Sequence, residues 1–285
     1  MRYCLPLIAT ILIALNACSL QVTNHVAARY APWPEERGFA VFELPDTTQV
    51  PDAEFLGEIV ISDGTALVCT YEMAVDSAKK NALRLGANAI KITAHKPPGG
   101  FSTCHRIRAQ ALRLPDVAPY LKEIPWSGTY RLEQRHFRAD TLNRPFRAAT
   151  FSYIKMQVGQ VWRFGKIRAG ITAVFDCNKS YFKSGNNGEE VLAHEQGHFD
   201  ITELHVRKLR KRLLEYNFHF NNIQSELEKI YNEVAEDWQR MQDAYDHDVY
   251  ADRSKQPGWL EKIQAELEAY KDFNRPDLVL KLAKE

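Results

Sequence analysis

At 285 residues the chain is long enough for two domains, and 45% hydrophobic with 26% charged residues is a globular rather than a disordered composition. A formal net charge of +1 argues against a nucleic-acid partner or a strongly acidic one. No internal repeat, no low-complexity tract and no hydrophobic span beyond the N-terminal one is present.

In residues 1–18, Arg2 precedes an apolar run from Leu5 to Leu15 and then Leu15-Asn16-Ala17-Cys18. This resembles a bacterial lipoprotein signal with its lipobox, which implies cleavage before Cys18, lipid on Cys18 and anchoring to the membrane. Ser19 directs such a lipoprotein to the outer membrane, facing the periplasm, by the habit of that class. An ordinary secretory signal is the alternative, and the run is too short for an uncleaved span. Residues 19–38, polar and rich in Pro and Glu around Trp33, have no period of two or of 3.6 and read as a tether.

Residues 39–115 read as a small α+β domain. Strands are predicted at 55–62, 88–95 and 103–114, a helix at 71–85 with Gly86 as its stop, and a turn at Pro97-Pro98-Gly99-Gly100. Cys69 and Cys104 bracket this unit and are expected to form a disulfide in an oxidising compartment; Cys177 is left as a small buried residue after a strand. The order of cysteine, helix, Leu85-Gly86-Ala87-Asn88-Ala89-Ile90, strand and cysteine is similar to the small domain of envelope stress-sensing lipoproteins of the Rcs type. That resemblance implies the fold and the disulfide. His95 and His105 are expected at a strand end and on an exposed strand face.

The prolines of 115–125 mark a linker, placed at 116–129, before a domain at 130–285. Strands are predicted at 147–158, 161–164 and 167–177, with Ile167, Ala169, Ile171, Ala173 and Phe175 on one face of the last. A long helix follows. Asn187 and Glu190 have the spacing of a capping box, and Leu192, Phe199, Val206, Leu209 and Leu213 form one apolar stripe. Its basic end, Arg207 to Arg212, reads as a solvated face matched to the helix dipole.

On that helix stands His194-Glu195-Gln196-Gly197-His198. Imidazoles four residues apart leave one helical face about 6 Å apart and can bind one Zn²⁺, while Glu195 is placed to take a proton from water attacking a carbonyl. Phe137, Ala148-Ala149-Thr150, Phe175-Asp176, Ser180-Tyr181, the run from Leu192 to Leu204, Met241-Gln242, Tyr245-Asp246 and Trp259 together resemble the predicted secreted zinc-dependent proteases, over roughly residues 126–270. The resemblance implies a zincin-like domain: a few-stranded antiparallel sheet, the HExxH helix and C-terminal helices. In such folds a free sheet edge can take an extended peptide by strand addition.

A zinc peptidase needs a third protein ligand. Ile201 and Leu204 stand where the metzincin extension has Gly and His, which excludes that subclass. His205 lies about 10.5 Å beyond His198 along the axis and reads as a surface histidine. Asp200 and Glu203 turn away from the imidazole face and read as groups that orient a ligand or pack the helix. The third ligand is therefore sought on the next helix, where Ile223, Leu227, Ile230, Val234, Trp238, Met241 and Tyr245 form a stripe; Glu233 and His247 are the two candidates. Relatives follow the Tyr-Asp pair with Thr-x-His, whereas this chain has Val249 and Ala251 there.

The α+β chain so read is an envelope lipoprotein that hydrolyses peptide bonds of a protein or peptide substrate with one Zn²⁺. The alternative is a lipoprotein of the same fold that binds or assembles partners and has lost turnover.

Overall fold

The computed structural model describes residues 20–45, 50, 52–64, 69–99, 102–159, 167–186 and 188–283. The signal with Cys18, the expected strand 161–164 and the capping residue Asn187 lie outside them. Among the described residues no helix is long and apolar enough to cross a membrane. The fold is α+β, in two compact units: one holds the residues up to Trp33 together with Val41–Pro115, the other Pro34–Ala40 and the residues from Asp116 onward.

The first unit contains strands β1 (Gln21–Val26), β2 (Ala40–Phe42, all but its first residue) and β3 (Glu54–Ser62), helix α1 (Tyr71–Leu85), and strands β4 (Ala89–Lys96) and β5 (Arg106–Arg113). They form one sheet in the order β1-β3-β5-β4-β2. Both β3 and β4 pair antiparallel with β5, so β3, α1 and β4 make a split β-α-β unit. Helix α1 starts where the Thr70 hydroxyl accepts from the Met73 N–H, and ends at Gly86, whose φ of 85° is left-handed. Ala74, Ala78, Ala82 and Leu85 bury its inner face. The expected Cys69–Cys104 disulfide joins the segment before α1 to the one before β5.

Residues 21–26 correct the reading of a tether, because β1 pairs antiparallel with β3 from Gln21↔Ser62 to Val26↔Gly57. Nearly every side chain of β1 is exposed, so the pairing rests on main-chain bonds that leave no hydrophobic alternation in the sequence. The chain stays on this unit: the Tyr30 and Trp33 N–H groups donate to the Leu85 and Leu83 carbonyls.

The second unit contains β6 (Glu123–Pro125), β7 (Ala148–Ala149), β8 (Ser152–Val158), β9 (Ile167–Asp176), β10 (Tyr181–Phe182), α2 (Gly188–Glu215), β11 (Asn217–Phe218), α3 (Ile223–Ala251), α4 (Gln256–Ala269) and β12 (Asp277–Leu282). Strand β9 is the spine: β8 lies along one side, and β12 and β6 share the other. Part of the expected linker is thus sheet, and Leu121 and Ile124 beside it are fully buried. Its prolines sit where a missing N–H costs little, Pro119 in the first turn of a 3-10 helix and Pro125 at a strand end.

Helix α2 departs most from its expected environment, being buried on almost every side from His194 to Leu213. The basic end read as solvated is largely internal, with Arg210 2% and Arg207 7% exposed. Glu203 accounts for this by accepting from Arg207 Nε at 2.9 Å and Arg210 Nη1 at 3.0 Å. Further guanidinium N–H groups donate to main-chain oxygens: Arg207 to Leu267, and Arg210 to Ile171 and Phe273. Cys177 is buried and free, and burial pushes its thiol up to about 12, out of reach of thiolate chemistry at neutral pH.

His205 is likewise inside, 1% exposed, and its Nδ1–H donates to the Ile201 carbonyl at 2.9 Å. Burial holds its pKa down to about 4. An unfolded histidine takes its proton near 6.5, so between these values the unfolded chain binds more protons and stability falls as pH drops. From pH 7.5 to 5.0 the wild type should lose about 2 kcal/mol more unfolding free energy than His205→Gln. Urea titrations of both proteins at the two pH values measure this; equal losses would place the His205 ring in water.

Candidate metal centre

The site is built by two antiparallel helices. On α2, His194 and His198 leave one face a turn apart, and their Nε2 atoms are 3.1 Å from each other. On α3, Gln242, Asp246 and Tyr250 recur every four residues and form a row against them: Gln242 bonds His198, Asp246 both histidines, and the Tyr250 ring lies 5.5 Å from that of His194. Asp246 Oδ1 is 3.1 Å from His194 Nε2 and 2.9 Å from His198 Nε2. Among the described residues this is the one group of three or more His, Cys, Asp or Glu arranged to hold a metal ion. Mutual separations near 3 Å are about those of three donors bound at roughly 2 Å to one ion.

Hydrogen bonding tests the fit. Gln242 Nε2 donates to the His198 carbonyl at 3.0 Å, which fixes the amide so that its Oε1 accepts from His198 Nδ1–H at 2.6 Å. The neutral ring then carries its lone pair on Nε2, facing Asp246, as a ligand must. Burial works against a proton on His198, yet the bond and charge of Asp246 outweigh it and raise its pKa. Burial would raise Asp246, but the two imidazoles overcome this and hold its carboxyl well below the usual carboxylate range. A cation between the three atoms would satisfy the same lone pairs. The donor set fits a first-row divalent metal, zinc included.

Glu195 is 3% exposed, and its Oε2 is buried with no partner. Burial raises its pKa, and the neighbouring imidazoles and Thr150 oppose the shift. The Thr150 hydroxyl donates to the Glu195 main-chain carbonyl at 3.1 Å, tying the β7–β8 segment to this turn of α2. Gly197 is required by packing, since a Cβ there would lie 2.6 Å from the Tyr245 hydroxyl oxygen. The Tyr245 ring stacks on His194 with centroids 4.7 Å apart. Solvent reaches the donors from the Asp246 side, whose side chain is 40% exposed against 7% for His194 and 13% for His198. There Phe146 and Tyr250, both more than half exposed, stack at 5.8 Å.

Neither expected third ligand reaches the pair, and Asp246 takes the place. Glu233 precedes Asp246 by 13 residues, about 20 Å along α3, and is paired with Arg212. His247 points about 100° away from its neighbour Asp246 around the helix and is exposed. Asp200 accepts from Trp126, Arg131, Gln196 and Gln264, and Glu203 from two arginines; both pack α2 rather than orient an imidazole. Val249 is buried with Ile201 and Leu204, and Ala251 closes α3. The four-residue recurrence of Gln242, Asp246 and Tyr250 beside the apolar stripe was the sequence signal for Asp246.

Residues 188–250 match a family model described as "Bacterial protein of unknown function (DUF922)". The DUF922 match runs from the start of α2 to Tyr250 and so contains all three donors, Glu195 and Gln242. No curated protein and no solved structure matches the chain.

Proposed function

We propose that this chain is a zinc-dependent peptide hydrolase of the bacterial envelope, anchored through lipid on Cys18 and facing the periplasm. The observation that carries the reading is the convergence of His194, His198 and Asp246 beside Glu195, whose buried Oε2 has no partner. The DUF922 match is compatible with a zincin-like protease and assigns no activity of its own.

His194 Nε2, His198 Nε2 and Asp246 Oδ1 would hold the ion, which when bound supplies a Lewis acid that acidifies water and polarises a carbonyl. Glu195 is the proton carrier. Its Oε2 takes a proton from the attacking water and passes it to the leaving amine, a role suited to a carboxyl whose pKa burial has raised. Gln242 keeps the His198 hydrogen on Nδ1. Among the described residues β8 has β9 on one side and no strand on the other, and Ser152 at its start bonds Thr202, one turn beyond His198. An extended substrate added to that edge would run beside the imidazoles.

Metal analysis of the purified chain tests the ligand set. About one zinc per chain is expected, with loss in His194→Ala and Asp246→Ala and retention in Glu233→Ala and His247→Ala. Retention in Asp246→Ala, or loss in either of the last two, would overturn the assignment. The second reading, a binding lipoprotein without turnover, is favoured by Ala251 in place of an imidazole; full zinc occupancy with no hydrolysis of any peptide would select it.

A further inference from the structure

We infer that His95 and His105 form a second metal site in the first unit, one that takes Cu²⁺ through two imidazole nitrogens. His95 lies near the end of β4 and His105 directly before β5, and His95 Nε2 is 2.8 Å from His105 Nδ1. The rings are 9° from parallel with centroids 5.0 Å apart. A 2.8 Å contact plus the two ring radii gives nearly that distance, so the imidazoles meet edge to edge in one plane.

The pair is held in place from both sides. The β4–β5 pairing sets His95 opposite Ile107, and the Cys69–Cys104 disulfide fixes the residue before His105, whose N–H donates to the Cys69 carbonyl at 3.1 Å. Two residues after Cys69, the Tyr71 ring lies 4.7 Å from His95 and 6.1 Å from His105. The carboxylates of Glu43 and Glu72 act on Tyr71 and so place negative charge on that side of the pair. Both imidazoles are half-buried and so open to an ion from solvent.

Metal–imidazole bonds of about 2 Å at a right angle separate two nitrogens by about 2.8 Å, and at the tetrahedral angle by about 3.3 Å. The observed spacing is the former. Square-planar nitrogen and oxygen coordination with imidazole ligands is the preference of Cu²⁺, which also binds such donors more tightly than Zn²⁺ does. At this spacing each lone pair must turn about 45° from the line between the two nitrogens to meet a shared ion, a rotation of both rings about their side-chain bonds. The hydrogen now shared between the facing nitrogens moves to the other nitrogen of its own ring, so binding to the neutral pair releases no proton. Water from solvent would take the remaining positions.

The test uses the full chain without an affinity tag, with His194→Ala and His198→Ala to silence the first site, titrated with copper sulfate in metal-free buffer. One Cu²⁺ per chain is expected, weakened at least about tenfold by His95→Phe or by His105→Phe and left unchanged by His25→Ala. Electron paramagnetic resonance of the unsubstituted pair with ¹⁵N-labelled histidine counts the bound imidazoles without relying on a variant that folds. Two histidine nitrogens support the site. None or one, or copper affinity that survives both substitutions, overturns it and leaves a hydrogen-bonded pair that only joins two strands.

Discussion

Glu195→Gln should lower peptide hydrolysis by roughly 10²–10⁴-fold while zinc stays at one per chain. The two side chains have nearly the same volume, and Glu195 is 3% exposed in a tightly packed turn, so the amide fits the same space. What it loses is the proton-accepting Oε2, which no group of the protein engages. The imidazoles and Asp246 are untouched by the change, so the metal measurement separates loss of chemistry from loss of the site. Paired assays of turnover and metal content decide the matter: wild-type cleavage by the variant would remove Glu195 from the reaction, and zinc lost together with activity would make it structural.

The second large effect is on stability. Glu203→Ala should cost about 3–5 kcal/mol, because it leaves the guanidinium groups of Arg207 and Arg210 in the interior without their carboxylate. Arg210 would keep its bonds to the Ile171 and Phe273 carbonyls and could not swing out to water without breaking them. Replacing Glu203, Arg207 and Arg210 together by Leu, Met and Leu should recover part of the loss, since no unmatched charge then remains. Urea midpoints of the three proteins measure the effect, and a loss under about 1 kcal/mol in Glu203→Ala would show that water already reaches the cluster.

This cluster also shows what could be read in advance. His194, Glu195 and His198 were legible because their relation is local: four residues on any helix place two rings on one face. Asp246 was not, because its meeting with them depends on the packing of α3 against α2, 48 residues along the chain from His198. His247, its neighbour, carried the more familiar ligand chemistry. Arg207 and Arg210 misled for a related reason, since charge suggests solvent until the buried partner is known. In the first unit, the alternation of buried residues along β3 and β5 reported the sheet, while β1 was silent because main-chain bonds hold it and its side chains face water.

Gln242 and Asp246 come from α3 and the imidazoles from α2, so whatever cation these donors hold is a cross-link between two helices. Its binding energy is then also a resistance to their separation, since the three atoms converge only while the helices are packed. Scarcity of the ion in the surroundings would thus loosen α3 at its C-terminal half, the part that carries Tyr250 and borders the opening to solvent. If these donors hold an ion, its supply and the integrity of the α2–α3 packing are coupled, and a chain without it would open first at this end.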